Sequence, residues 1–493
     1  MALMSLFGGL NAFAQTYQTI DGVKYGLMQK GQCVVIGDAG ATGDITFKKE
    51  VEFDDGMHTV TGVCGSEDYP DEATDQKKGF INNDNITSIT FEAGSQITWI
   101  GDHAFKSCLN LKTINKVPDV LNEIKPWCFE GTALVSVDLS NTQITSLPDG
   151  CFYDCKQLSD VKLPKELTYI GKNAFCKSSI ASITFPPSLQ KIDAWAFQGA
   201  KFENVVIPTK CNTIEQGAFS DNANLTTVFI NGLECYLAYE AFCSCPKLTD
   251  IYITSNKEPV AGRYGYPFDN NPKVHVMKDF VNIFSGLMKD GNNPCNTTNF
   301  DSNFSLTLGK KWTTFTSAYN LDFSKVEGDL TAYTAKYNEA NDAVALTPVK
   351  KVKAHTGLIL KGEVGKPYTL TILPSDEAEL DAVTDNQLVD CVDAVWSSNR
   401  GKDYFLSNGE FVKSTNAGWA LPGKSFLYIS SGRPTNQSES PLRVYVDNTA
   451  TAINGITNNP VVKDEAYYNL QGVKVQRPQH GVFIHNGKKV VLK

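Results

Sequence analysis

The stretch Ile100-Gly-Asp-His-Ala-Phe105-Lys-Ser-Cys108-Leu-Asn-Leu111 sets a pattern that recurs along the first half of the chain. Its phenylalanine returns every 22–24 residues, each time after a small residue and five residues after an aliphatic one. The phenylalanines of the pattern are Phe105, Phe129, Phe152, Phe175, Phe197, Phe219 and Phe242. An earlier copy, Ile86-Ile89-Phe91, is expected to lack a phenylalanine of its own. So regular a period predicts a stack of short coils.

An alternating apolar run follows each phenylalanine, as in Leu158-Val161-Leu163. Alternation of this kind indicates a short strand whose apolar side chains point inward. A coil of this length cannot bury its apolar side alone, so neighbouring coils must stack and share one core. The sequence therefore predicts a solenoid with a parallel sheet on one face, in which the phenylalanine of each returning segment lies between the layers.

The spelling I-x-x-x-A-F-x-x-C-x-x-L resembles the BspA-like leucine-rich repeats of surface and secreted proteins of anaerobic gut and oral bacteria. The resemblance covers about residues 80–285. The activities described for that family are binding ones, namely adhesion to host matrix proteins, to other bacteria or to surfaces. The resemblance therefore implies a recognition or adhesion protein whose partner is a host or bacterial surface protein or glycan.

Composition narrows the class of protein. With 493 residues, 42% hydrophobic and 20% charged, the chain is long enough for two to four folded domains. Its net charge of -9 argues against a nucleic-acid partner. Residues 1–14 are largely apolar and end in Ala12-Phe13-Ala14, as a remnant signal peptide would, and this favours export over a buried N-terminal helix. No stretch is long enough to predict a membrane span.

The predicted fold is mostly β, or α+β at most. The expected order is a remnant signal peptide over 1–14, a β-rich N-terminal cap over 15–80, repeats with their C-terminal cap over 81–285, a linker over 286–304, a β-sandwich over 305–450 and a C-terminal β-hairpin tail over 451–493. Hairpin turns are expected at Asp21-Gly22, Asp55-Gly56 and Asn408-Gly409. A helix over Asp279–Lys289 would close the solenoid core.

The tail over 451–493 has two readings. It resembles the C-terminal tails of Bacteroidetes-type exported proteins, some of which are sorting signals for surface secretion. The alternative is that it completes the preceding sandwich.

The thirteen cysteines and six histidines show no metal-binding spacing, so no metal or cofactor is expected. Cys108, Cys155 and Cys245 all lie three residues after the repeat phenylalanine, a column that predicts buried structural thiols. Cys128 and Cys151 share a column in adjacent coils, close enough to permit a disulfide. Free thiols are expected there because other coils have alanine at that position.

Catalytic motifs are missing from the sequence. It has no GxSxG elbow, Walker loop or GxGxxG fingerprint, and the glycine-rich stretch Gly37–Gly43 reads as a hairpin loop. Asp138, Asp160 and Asp250 fall on separate strands and do not form the facing pair that a glycosidase needs. The chain is therefore not expected to be an enzyme, and a polymer-degrading hydrolase is only a remote alternative.

The repeat register predicts which side chains leave the exposed sheet face. Three successive coils carry apolar residues there, and these form a stripe with a polar border, which is typical of an interaction surface. The candidate ligand-binding residues are Val206, Phe229 and Tyr252, beside Asn204 and Asp250. The alternative is that residues 255–304 fold back over the stripe as part of the cap. At the level of function, the alternative is a structural surface component with the solenoid as a spacer.

Overall fold

The computed structural model describes residues 17–29, 31–66, 79–232, 234–254, 267–269, 272–281, 300–398, 401–415, 417–433 and 440–446, with the short segments 467–468, 474–475, 481–485 and 488–492. The chain divides into two compact units, residues 1–446 and 447–493. The predicted signal peptide over 1–14 lies outside the described residues, as does the predicted linker up to residue 299.

The N-terminal segment is built of six strands. They are Tyr17–Ile20 (β1), Val23–Gln29 (β2), Gln32–Asp38 (β3), Gly43–Phe47 (β4), Glu50–Phe53 (β5) and Gly56–Val63 (β6). The expected turn at Asp21-Gly22 joins the antiparallel pair β1 and β2, and Asp55-Gly56 joins β5 and β6. Asp21 and both glycines take positive φ, as such turns require.

The solenoid has parallel strands on two sides, hydrogen-bonded in three separate groups on the first side and two on the second. We call the first the front sheet: Ile86–Phe91 (β7), Thr113–Asn115 (β9), Ser136–Asp138 (β11), Asp160–Lys162 (β13), Asn204–Ile207 (β16), Thr227–Ile230 (β18), Asp250–Ile253 (β20), Lys273–His275 (β21) and Phe300–Asp301 (β22). The back sheet is Trp99–Ile100 (β8), Glu123–Ile124 (β10), Ser146–Leu147 (β12), Tyr169–Ile170 (β14), Lys191–Ile192 (β15), Thr213–Ile214 (β17) and Tyr236–Leu237 (β19). The cap extends both sheets, because β4 pairs with β7 and β6 with β8.

One phenyl ring from each coil stacks on the ring of the next coil inside the solenoid. The rings are those of Phe80, Phe105, Phe129, Phe152, Phe175, Phe197, Phe219 and Phe242. Successive centroids are 5.2–5.4 Å apart and successive planes differ by 5–10°. The expectation that the Ile86-Ile89-Phe91 copy lacks its own phenylalanine was wrong. Phe80 fills that place, although Asp75 stands where the other coils have an aliphatic residue.

From Phe105 to Phe242, each stacked phenylalanine is flanked by two left-handed residues, one two positions before it and one two positions after. Around Phe129 they are Trp127 and Gly131, with φ of 58° and 69°. The Trp127 ring lies over the next coil's Gly150, where an added Cβ would be only 2.1 Å from the ring. Gly150 is itself left-handed, so close ring packing and a positive φ both require glycine there.

The cysteines three residues after the phenylalanine donate to backbone carbonyl groups of the preceding coil. The Cys108 thiol donates to Phe80 O at 2.9 Å, Cys155 to Phe129 O at 3.0 Å and Cys245 to Phe219 O at 3.4 Å. All three are buried, and burial raises the pKa of Cys108 and Cys245 to about 12 and that of Cys155 to about 11. Such thiols are unreactive at neutral pH.

Cys128 and Cys151 are buried free thiols. Each lies directly before its stacked phenylalanine, where most other coils have alanine. Burial raises the pKa of both thiols well above the usual value.

The region after the solenoid is a stack of β-sheets, here called the β domain (residues 303–446). Its strands are Asn303–Thr307 (β23), Trp312–Phe315 (β24), Leu321–Asp322 (β25), Thr331–Asn338 (β26), Ala343–Val349 (β27), Lys351–Val352 (β28), Leu358–Lys361 (β29), Pro367–Ile372 (β30), Leu388–Cys391 (β31), Val395–Ser397 (β32), Asp403–Ser407 (β33), Glu410–Lys413 (β34), Gly418–Ala420 (β35), Lys424–Tyr428 (β36) and Arg443–Val446 (β37). The Asn408-Gly409 turn joins β33 and β34 as expected.

The central sheet of the β domain is covered on both faces, which makes three layers where a two-layer sandwich was expected. It runs β24-β29-β26-β27-β37. Ala332 and Leu360 pack toward the sheet β23-β30-β25-β28, while Tyr333 and Ile359 pack toward the sheet β31-β36-β33-β34.

The predicted closing helix over Asp279–Lys289 is described only at its start, where Lys278–Phe280 forms a 3-10 turn (η1). Residues 282–289 lie outside the described part of the chain.

The second unit has four described strands, Tyr467–Tyr468 (β38), Lys474–Val475 (β39), Gly481–His485 (β40) and Lys488–Leu492 (β41). They form one sheet in the order β39-β38-β40-β41, and β40 and β41 make the antiparallel hairpin expected at the C-terminus.

The ring stack predicts a specific loss of stability. Phe152 lies near its middle and is fully buried, so Phe152→Ala removes two ring contacts and leaves a cavity, which should cost about 3–5 kcal/mol. Phe152→Leu keeps most of the volume and should cost clearly less. Urea unfolding followed by circular dichroism measures both. Leu109→Ala, at a leucine that is 58% exposed, is the control; equal losses at Leu109 and Phe152 would contradict the role of the stack.

Candidate functional site

The front sheet presents an exposed polar surface over its middle coils, which we call the open face. It consists of Thr113, Asn115, Ser136, Asp138, Asp160, Lys162, Ser182 and Asn204, all of them exposed. The strand register places Ser136 beside Asp160 and Asp138 beside Lys162. These side chains alternate with the buried ones of the same strands, so the core does not need them.

Two of the three charged residues of the open face, Asp138 and Lys162, are paired with each other. Lys162 Nζ lies 2.8 Å from Asp138 Oδ2, and Ser140 donates to Asp138 Oδ1 from both its backbone and its side chain. Partial burial opposes ionisation, but the hydrogen bonds from Lys162 and Ser140 outweigh it and lower the pKa of Asp138. Asp138 is therefore held in place as a carboxylate by its hydrogen bonds. Asp160 pairs with Ser136, so the two acids are not opposite each other on the neighbouring strands.

The predicted apolar stripe lies in register but is not open along its length. Val206 pairs with Phe229, and Phe229 pairs with Tyr252. The Phe229 and Tyr252 rings stack at 4.7 Å, and His275 of the next strand stacks on Tyr252 at 4.3 Å. Val206 and Phe229 are half-buried, whereas Tyr252 is only 2% exposed.

Phe304, at the start of the β domain, covers the stripe. Its ring lies 5.1 Å from Tyr252 and 6.3 Å from Phe229, and Ser305 N donates to Tyr252 Oη at 3.2 Å. Tyr252 therefore does not face solvent, and its cover comes from Phe304, which lies within the segment 255–304 named as the alternative to an open stripe. The alternation of the strand does point Tyr252 away from the solenoid core, but the following domain packs against it.

The two polar residues beside the stripe belong to different surfaces, Asn204 to the open face and Asp250 to the junction between solenoid and β domain. Asn204 is exposed and accepts a hydrogen bond from Thr226 Oγ1 at 3.3 Å, so it stays with the open face. Asp250 is half-buried and its Oδ1 lies 2.9 Å from His275 Nε2. Its carboxylate is engaged in the junction between solenoid and β domain.

His275 is held between two carboxylates at this junction. Its side chain is 2% exposed, with Asp250 on Nε2 and Asp301 Oδ1 2.5 Å from Nδ1. Burial opposes the charged form, but the two aspartates outweigh it and raise the pKa of His275. Tyr319 Oη, from the β domain, donates to the backbone carbonyl of His275 at 3.2 Å. A doubly protonated ring donates to both carboxylates, so the imidazolium is the form that fits this site.

Further contacts join the β domain to the solenoid, at the turns that follow strands of the front sheet. Thr209 donates from its backbone and its hydroxyl to the Asp393 carboxylate, at 3.0 and 2.6 Å. Asn231 Nδ2 donates to Val392 O at 3.3 Å, and Lys165 Nζ lies 3.6 Å from the centre of the Trp396 ring. No periodic signal in the sequence marks these residues, because each contacts a partner more than 150 positions away.

The covered stripe predicts different effects for two tyrosines. Tyr252→Ser removes a buried ring from the junction and should cost about 3–5 kcal/mol, seen as a fall of several degrees in melting temperature. Tyr239→Ser, at a tyrosine that is 40% exposed, is the matched control and should change the melting temperature little. If Tyr252→Ser left the melting temperature unchanged, the packing of Phe304 on the stripe would be refuted.

His275 predicts a pH dependence of stability. Its folded pKa lies above the ordinary value of about 6.5, so its contribution is complete below that pH and is lost as the pH rises through the folded pKa. Melting temperatures measured between pH 5 and pH 9 should fall with rising pH more steeply in the native protein than in His275→Gln. If the melting temperature fell equally with pH in both proteins, stabilisation of protonated His275 by Asp250 and Asp301 would be contradicted.

Comparison with known proteins identifies the repeat. The family model of the BspA type leucine rich repeat region matches in six copies, over residues 76–200 and 145–273. No curated protein matches the chain. Within the described part of the chain, no helix is long and apolar enough to cross a bilayer.

The chain is also similar to solved structures of leucine-rich repeat proteins. One from Bacteroides ovatus is 17% identical, with 54% of this chain and 80% of that chain covered and a TM-score of 0.33. One from T. pallidum is 18% identical, with 47% and 91% covered and a TM-score of 0.31. A leucine rich cell surface protein from Faecalibacterium prausnitzii is 15% identical, with 58% and 94% covered and a TM-score of 0.25. These likenesses are weak, and the identification rests on the family model and the ring-stacked coils. Residues 76–273 match the model of the BspA type leucine rich repeat region, and the ring-stacked coils of the structure lie in this segment.

Proposed function

We propose that this chain is an exported recognition protein that binds a protein partner through the open face of its solenoid. The observation that carries the proposal is the run of exposed side chains from Thr113 to Asn204 on consecutive coils of the front sheet. Their positions are fixed by a rigid repeat, while their chemistry is not constrained by the core. A stack of coils offers the kind of extended surface that repeat proteins use for binding.

The chemistry of the open face suits a polar partner surface. It presents hydroxyl, amide, carboxylate and ammonium groups at intervals of about 4.8 Å, the spacing of neighbouring strands. The Asp138–Lys162 pair is more than half exposed on both sides, so it contributes little to stability and is available to a partner. Mixed donors and acceptors at fixed positions favour specificity through electrostatic complementarity.

Asn204 and Val206 form the C-terminal end of the proposed surface, where it meets the β domain. Phe229 is half-buried between the open face and the junction. Tyr252 and Asp250, first considered as ligand-binding residues, are assigned to the junction instead, because their side chains are engaged by Phe304 and His275.

Export is part of the proposal. It is supported by the apolar residues 1–14 with Ala12-Phe13-Ala14 at their end, and by the resemblance of the repeat to those of bacterial surface and secreted proteins. A non-catalytic role is supported by the pairing of Asp138 with Lys162, which leaves that carboxylate without a second acid opposite it.

The proposal predicts a difference between the two sides of one coil. Ser136 on the front sheet and Ser146 on the back sheet are both exposed strand residues. The full chain is first tested by surface plasmon resonance against a panel of soluble extracellular-matrix proteins and a panel of glycans. For the partner found, Ser136→Arg should weaken binding about tenfold or more, because a long charged side chain blocks close contact, whereas Ser146→Arg should leave binding unchanged.

Both variants should keep the native melting temperature, since each serine is exposed. Loss of binding in Ser146→Arg alone, or equal loss in both variants, would refute the open face as the binding surface. If the chain bound glycans but none of the proteins of the panel, the proposal of a protein partner would be refuted. The open face would remain the proposed binding surface.

A further inference from the structure

Two cysteines in consecutive coils occupy core space that aliphatic side chains fill in the other coils. The position three residues before the aliphatic residue of each back strand is otherwise a fully buried aliphatic side chain, in Ile97, Leu121, Ile144, Leu167 and Leu189. Cys211 takes this position in the coil of Phe219 and is also fully buried. In the next coil Glu234 falls on the position but is exposed, and Cys235 packs against the core in its place.

The register of the back strands places the two cysteines near each other on neighbouring coils. Thr213 is paired with Tyr236, and Tyr236 N donates to Asn212 O at 2.8 Å, so Cys235 is opposite Asn212 and Cys211 is one residue further along. Neighbouring strands about 4.8 Å apart, with an offset of one residue of about 3.3 Å, give a Cα separation of about 6 Å. This lies inside the range of about 4.4–6.8 Å in which disulfides form.

Side-chain contacts agree with the backbone placement. A hydrogen-bonding contact with the Cys211 thiol, followed by burial, raises the pKa of Cys235. The chain also turns closely around the pair. A Cβ on Gly232 would lie 3.2 Å from the Cys235 Cβ and 2.5 Å from Cys211 O. Glycine at position 232 therefore leaves the room in which the two cysteines approach one another.

Access separates this pair from the other candidate pair. Cys128 and Cys151 are both buried, whereas Cys235 is partly exposed. Of the four thiols in the two pairs considered, Cys235 is the one at which a small disulfide reagent would react first. Export would bring the chain to a compartment where disulfides persist.

We propose that Cys211 and Cys235 are a dithiol site that forms an intrachain disulfide on reaction with a small disulfide oxidant. The Cys235 thiolate attacks one sulfur of the oxidant RSSR and expels one thiolate RS⁻, giving a mixed disulfide. The Cys211 thiolate then attacks the Cys235 sulfur and expels the second. Two protein thiols are oxidised, RSSR is reduced to two RSH, and the two thiol protons end on the released thiols.

The new bond would join two of the coils to which the β domain is fastened. Thr209, which holds Asp393, lies two residues before Cys211, and Asn231, which holds Val392, lies four residues before Cys235. Oxidation would thus fix the relative position of the two turns that carry these contacts. A bond that closes a loop of this length restricts the unfolded chain and stabilises the folded one.

The test uses the full native chain. It is incubated with oxidised glutathione at pH 8.5, free thiols are blocked with iodoacetamide, and the protein is cut at acidic residues, since Glu215, Asp221 and Glu234 lie between the two cysteines. The expected result is a cross-linked peptide pair containing Cys211 and Cys235, two hydrogens lighter than the separate peptides. The melting temperature should rise by several degrees and return to its starting value after reduction with dithiothreitol.

Cys108, Cys155 and Cys245 are internal controls and should remain unmodified until the protein is denatured. The Cys211→Ser variant should instead accumulate a glutathione mixed disulfide at Cys235, because it lacks the second thiol that would displace the glutathione. Accumulation of the glutathione adduct at Cys235 in the native chain, or a cross-link between Cys128 and Cys151 without one between Cys211 and Cys235, would overturn the proposal. None of these readouts depends on the ligand of the open face, so failure here leaves the proposed function standing.

Discussion

Face-to-face packing of one phenyl ring per coil is the constraint on which the rest of the solenoid depends. The ring centroids from Phe80 to Phe242 are 5.2–5.4 Å apart, slightly more than the usual strand spacing of about 4.8 Å. Once each ring is placed over the next, the left-handed residues on either side of it, the thiol column three residues later and the front strand beyond follow at fixed offsets. The small rotation of 5–10° between successive planes keeps these columns aligned over the whole stack. The open face is regular for the same reason.

The sequence was most informative where structure depends on near neighbours. The period located seven of the eight stacked rings, the inward thiols and the outward column from Asn115 to Tyr252, because each is set within one coil. Phe80 was missed because Asp75 breaks the pattern before it. The left-handed residues were missed because only some are glycine, and Trp127 shows no preference for that conformation. The sequence left the burial of Tyr252 open, because cover of the stripe by residues 255–304 was the alternative to an exposed stripe, and Phe304 supplies that cover. The third layer of the β domain was missed because Ala332 and Tyr333 contribute to opposite cores.

The junction between solenoid and β domain shows how the C-terminal end of a repeat stack is closed here. The outward column becomes aromatic at Phe229 and Tyr252, continues into His275, and receives Phe304 as its cover. The charge on His275 is balanced by aspartates from the strands on either side, Asp250 and Asp301, so the strand that completes the sheet also completes the clamp. The solenoid and the β domain consequently form one compact unit, in which the last coils serve as a docking surface.

The fastening contacts named above begin at Lys165 and continue toward the C-terminus, and this divides the coils into two groups. Coils from Lys165 onward must keep their number and order, because Thr209, Asn231 and Tyr252 have to meet fixed partners in the β domain. The coils before Lys165 repeat the same ring, turn and strand without such partners among these contacts. Duplication or deletion of a whole coil there would preserve the stack. The number of coils before Lys165 can therefore change in steps of one during evolution without disturbing the junction.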